Sequence, residues 1–198
     1  MKRLTKDHFY HLWIAAADEH IFFADTLDKA FFVSLFQDNL SPRKNLDMNN
    51  PFINTTSPQV ALVAYSLTKF GVNILVTAPR DSMARAFGQI LLIQYMEYLS
   101  HSKKMRAVPF DTIFTHDHID TEYEALQVSK EIHHLHEGDH YDRYSSIGFY
   151  IYDRRGDWIQ PWRLTRLYKN DNDWYVQFLE DETMSVSNAN HYKEFIEI

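Results

Sequence analysis

The chain has 198 residues, of which 45% are hydrophobic and 15% aromatic, enough for one domain of ordinary size with its own core. Cysteine is absent, which excludes disulfides and thiolate metal sites and agrees with a reducing cytoplasm. The start, Met1 to Asp7, is charged without an apolar signal core behind it, and no apolar run nears the roughly 20 residues of a membrane span, so no membrane partner is expected.

The net charge of −7 opposes a nucleic-acid partner, because phosphate contacts need cations. Its distribution is uneven. Residues 80–110 hold five basic and two acidic side chains, and residues 143–169 hold six and two. Between them, residues 111–142 hold nine acidic side chains and one basic, and residues 170–198 hold seven acidic and one basic.

Taken along the chain, His8 to Ala17 reads as a strand rich in aromatic and β-branched residues. Asp25, with Asp28 three positions later, resembles a capping box opening a helix that carries Leu27, Phe31, Leu35 and Phe36 and stops near Asn39. Residues 41–58, rich in Asn and Pro, read as a loop. Val60 to Leu67 and Val72 to Thr77 read as paired strands around the turn Thr68 to Gly71. Asp81 or Ser82 caps a long helix reaching about Ser100, and Ala107 to His116 reads as a fourth strand. Thr121 and Glu124 form a capping box before Ala125, Val128, Ile132 and Leu135, whose spacing makes a helical seam that Gly138 is placed to end. The order β-α-β-β-α-β predicts an α+β domain: a ferredoxin-like antiparallel sheet with helices on one face, plus a further helix. Residues 1–152 are assigned to that domain. Residues 153–198 are read as an aromatic-rich extension packed on it as strands or irregular chain.

Several stretches, in this order, resemble the HUH single-tyrosine transposases, above all those associated with repetitive extragenic palindromes. They are Phe9-Tyr-His-Leu-Trp13, Ile21-Phe-Phe23 before a helix, Leu62-Val-Ala-Tyr-Ser-Leu67 running into Val72-Asn-Ile-Leu-Val76, Gln94-Tyr95 on the long helix, Glu131-Ile-His133, and Tyr141-Asp-Arg-Tyr-Ser-Ser146. The match spans about residues 8–152. The resemblance implies a metal-dependent DNA strand transfer. Two histidines one residue apart would hold Mg or Mn against the scissile phosphate, a tyrosine would attack phosphorus, and a polar side chain one turn later would complete the metal shell. The sequence departs from that pattern at all four places: Gly71 and Asn73 stand for the histidines, Glu131 for the tyrosine, and Leu135 for the last ligand. The resemblance therefore implies a relative without catalytic residues and without a cofactor, retaining at most hairpin or single-stranded DNA as partner. Family members occur as monomers and as homodimers.

The residues also suggest other sites. His116 and His118 lie two apart on a strand, and His133, His136 and Glu137 lie at one-turn spacing on a helix. Together they are weak candidates for a zinc or manganese site. His116, His118 and His133 could also replace the missing histidine pair from a displaced position, with Tyr123 or Tyr141 as nucleophile. The bland alternative is a polar, half-exposed helix and turn. Lys103, Lys104 and Arg106 form a basic loop after the long helix. A stronger nucleic-acid candidate interleaves Arg154, Arg155, Arg163, Arg166 and Lys169 with Tyr150, Tyr152, Trp158, Trp162 and Tyr168, although aromatics at this density are more often core. No glycine-rich phosphate loop or G-x-S-x-G elbow is present. Three functions therefore compete: a DNA-binding, non-cutting transposase relative; an active transposase with displaced residues; and a protein-interaction or structural module.

Overall fold

The computed structural model describes residues 7–17, 20–41, 59–102, 111–136, 143–152 and 154–181. Four strands form one antiparallel sheet: β1 (His8–Ala16), β2 (Ala61–Leu67), β3 (Gly71–Ala78) and β4 (Thr112–Ile119). Their spatial order is β2-β3-β1-β4, so β1 pairs with both β3 and β4. This is the split arrangement expected of a ferredoxin-like α+β domain.

Side chains alternate between the two faces of each strand. One face carries Tyr10, Leu12, Ile14, Tyr65 and Phe114. It is covered by α1 (Thr26–Leu40) and α2 (Asp81–Ser102): Phe36 of α1 meets Tyr65 with ring centroids 5.1 Å apart, and the Phe114 ring lies against Gly88 of α2. Asp25 caps α1 by accepting from Leu27 N and Asp28 N. The fully buried Asp28 accepts from Ala24 N rather than from the cap residue itself, so the box is offset by one residue. The opposite face is covered over β2 and β3 by α3 (Glu122–His134), which opens with the predicted box: Thr121 Oγ1 accepts from Glu124 N, and Glu124 Oε2 accepts from Thr121 N. Every residue of β2 and β3 is consequently buried. Half of the residues of the outer strand β4 are exposed.

Two expectations shift. The fourth strand runs over Thr112–Ile119 instead of 107–116, of which 107–110 lie outside the described residues. The described residues of the C-terminal part form short helices rather than strands: α4 (Gly148–Ile151), α5 (Trp162–Thr165), a 3-10 turn at Arg166–Tyr168 and α6 (Asn172–Glu180); residues 153 and 182–198 lie outside the described residues. Helical winding turns every third or fourth residue inward, so Tyr150, Leu164, Tyr168 and Tyr175 join the cluster formed by the sheet. Among the described residues only isolated bridges, Ser66 with Ser145 and Leu62 with Ile159, extend the sheet beyond β2. Among the described residues no helix is long and apolar enough to cross a membrane.

Candidate functional site

The positions singled out by the resemblance lie on the α3 side of the sheet. Gly71 pairs with Ala15, and two residues on, Asn73 pairs with Trp13 and Ser66, so Gly71 and Asn73 face the same way. His11, on the same face of β1, reaches Asn73: its Nε2 lies 3.2 Å from Asn73 Oδ1. Burial pushes the His11 imidazole below its usual pKa, against the Asn73 bond and the nearby Asp117 and Glu131 carboxylates, which favour the proton. Glu131 of α3 and Asn73 of β3 thus converge on His11. Leu135, one turn beyond Glu131, is exposed.

The residues present do not fit the ion that the resemblance implies. Gly71 has no donor, and a Cβ there would sit 2.3 Å from the Ile14 carbonyl oxygen and 2.8 Å from Ala15 Cα. A histidine cannot enter unless β1 shifts. Asn73 offers one amide oxygen, already facing His11, and Leu135 has no ligand atom. Among the described residues no three His, Asp or Glu side chains group closely enough to hold a metal. Where the resemblance places a nucleophile, Glu131 presents a carboxylate, which repels a phosphodiester. Tyr150, Tyr168 and Tyr175 are buried in the core, and burial pushes their hydroxyls above the usual tyrosine range.

Among the described residues the candidate histidines divide between the two faces of the sheet. His116 and His118 occupy the α2 face of β4. His116 Nε2 lies 3.0 Å from Asp81 Oδ1 and 3.0 Å from an Arg85 nitrogen, and His118 Nδ1 lies 3.0 Å from Asp120 Oδ1. His133 is on α3, across the sheet. It is buried, with Nδ1 2.7 Å from the Tyr175 hydroxyl and Nε2 2.7 Å from Ser146 Oγ. Ser146 Oγ in turn accepts from Tyr65 N on β2. Both ring nitrogens of His133 therefore fasten α3 to α6 and to the edge of the sheet. A strand's alternation sends one pair of histidines one way while α3 packs on the other side. Glu137 lies outside the described residues, as do Tyr141, Lys103, Lys104 and Arg106.

The C-terminal basic segment divides in two. Arg163 bonds Asp7 Oδ2 at 3.0 Å and Gln160 Oε1 at 2.9 Å, and its guanidinium lies 5.3 Å from the Trp162 ring centroid. Arg166 pairs with Glu122 at the start of α3. These two cations are matched by carboxylates. Arg154 and Arg155 line a cavity of about 360 Å³ with Trp162, Thr165, Asn170 and Phe149. Of the rings expected to stack on bases, Tyr150 and Tyr168 are core and Trp158 packs on Phe36, whereas Trp162 is 53% exposed. On the sheet face, Trp13 is also exposed. The sequence reading missed His11 and this cavity. The only early signal for His11 was its place in Phe9-Tyr-His-Leu-Trp13, a polar residue amid a strand of large apolar ones.

No family model matches the sequence, and neither a curated protein nor a solved structure matches it.

Proposed function

We propose that this chain is a non-cutting relative of the single-tyrosine transposases that binds single-stranded or hairpin DNA. The observation that carries the reading is the filling of the would-be metal site: Asn73 faces His11 at 3.2 Å, and Gly71 packs against the backbone of β1. Such a centre retains the surrounding sheet and helix but has no ligand pair and no tyrosine. Asp117 and Glu131 beside it disfavour phosphate on the sheet face, so the DNA backbone is assigned to the Arg154 and Arg155 side, where cations adjoin an exposed indole.

The test is incubation with end-labelled hairpin DNA in Mg²⁺ or Mn²⁺, followed by native and denaturing gels. A native shift without any covalent adduct or cleaved product is expected. A covalent adduct would refute the loss of nicking, and the absence of any shift at micromolar protein would refute DNA binding.

A further inference from the structure

Outside the centre described above, the cavity beside α5 has walls of a particular chemistry. Arg154 and Arg155 supply two guanidinium groups, and Arg154 is steadied by its position 5.1 Å from the Phe149 ring centroid. Among the described residues Arg155 makes no ion pair, and it is exposed. Trp162 contributes a half-exposed indole whose ring is braced by Arg163. Asn170 and Asn172 add amides that can both donate and accept, and the Thr165 hydroxyl donates to Asn170 Oδ1. Asn170 holds a left-handed backbone with φ of 60°, as does Lys169 with φ of 56°. Left-handed non-glycine residues are uncommon and mark constrained turns, and this turn places Asn170 at the cavity wall. The volume, about 360 Å³, falls at the lower end of the roughly 300–1,000 Å³ usual for small-molecule pockets.

Each component matches a part of one ligand. Guanidinium groups bind phosphate oxygens through charge-assisted, often bidentate hydrogen bonds. An exposed indole stacks on a base, and carboxamides pair with a base edge. We propose that this cavity is a binding site for one nucleoside monophosphate unit: phosphate on Arg154 and Arg155, base against Trp162, base edge toward Asn170. The unit comes from a DNA strand or from a free nucleotide. Only the first source rests on the DNA-binding reading.

The experiment titrates the full chain with thymidine 5′-monophosphate, with thymidine, and with a fluorescein-labelled thymidine dodecamer, following heat by calorimetry and anisotropy for the dodecamer. Three variants are compared: Arg155→Ala, Trp162→Ala, and Asn170→Asp, which keeps the acceptor for Thr165 and the tolerance for the left-handed backbone while placing a carboxylate in the cavity. Thermal melts confirm that each is folded. The monophosphate is expected to bind, thymidine to bind about tenfold more weakly or not at all, and each variant to weaken monophosphate binding about tenfold, as loss of a charge-assisted bond or a stacking contact does. If none of the ligands binds, or if monophosphate binding is the same in the wild type and all three variants, the site is refuted. Dodecamer and monophosphate binding that both survive all three variants unchanged would overturn the pocket while leaving DNA binding standing. Monophosphate binding without dodecamer binding would keep the pocket, as a free-nucleotide site, and overturn the DNA reading.

Discussion

Replacing Gly71 by alanine would force β3 and β1 apart. The new Cβ would stand 2.3 Å from the Ile14 carbonyl oxygen, 2.8 Å from Ala15 Cα and 2.8 Å from Ala15 Cβ. Two of these three atoms are backbone in a paired strand, so no flexible side chain can swing away. Overpacking of this kind costs about 1–3 kcal/mol, and contact with backbone belongs in the upper half of that range. The substitution also restricts the unfolded chain, which returns about 0.4–1 kcal/mol. The net loss is about 1–2 kcal/mol. At roughly 2–4 °C per kcal/mol for a domain of this size, Tm falls by about 5 °C. Differential scanning calorimetry of wild type and Gly71→Ala at one pH measures it. An unchanged or raised Tm would refute the claim that β1 leaves no room for a side chain. A histidine carries the same Cβ, so the same geometry explains why the paired metal ligands of the resembling family have no place here. The double variant Gly71→His with Asn73→His is expected to melt lower still and to show no Mn²⁺ heat in calorimetry.

Other perturbations test the surroundings. His11 titrates below its ordinary 6.5 in the folded state, so the unfolded chain binds more protons in the interval beneath that value. Its contribution is complete above about 6.5, is lost as pH falls through that interval, and levels off once the folded imidazole is also protonated. The Tm gap between pH 7.5 and pH 5 should therefore be smaller in His11→Gln than in wild type, and equal gaps would contradict the burial of this ring. His133→Ala removes a buried ring and its bonds to the Tyr175 hydroxyl and Ser146 Oγ, which keep Ser129 and Tyr65 as partners, and the cavity left behind should cost about 2–4 kcal/mol in urea unfolding. Leu135→Asn, at an exposed position, should stay within about 0.5 kcal/mol of wild type.

The sheet and its three covering helices were legible because their signals are local. Asp25 and Thr121 act as the caps their spacing predicts, and the apolar runs around Thr68 to Gly71 do pair as β2 and β3. The C-terminal helices were not. Segments of four residues such as Gly148–Ile151 and Trp162–Thr165 complete barely one turn, too short for a 3.6-residue period to declare itself. Asp171, which caps α6 by accepting from Trp174 N, was the one readable cue there. The site shows the same division. That Gly71, Asn73 and Glu131 carry no histidine or tyrosine is evident from residue identity alone. That His11 meets Asn73 depends on the register of β1 against β3, and that His116 and His118 face away from His133 depends on which side α3 packs. Neither is encoded in spacing along the chain.

The account is tested most directly by the anisotropy of a labelled hairpin with a single-stranded flank, titrated with protein at low and moderate salt without divalent metal. Saturable binding is predicted at low salt, weakening as salt rises because phosphate contacts release counterions. It should be indifferent to added Mn²⁺ and be reduced in Arg155→Ala. No anisotropy change at micromolar protein, or binding that requires the metal, would contradict a non-cutting DNA-binding domain whose metal position is filled by His11 and Asn73.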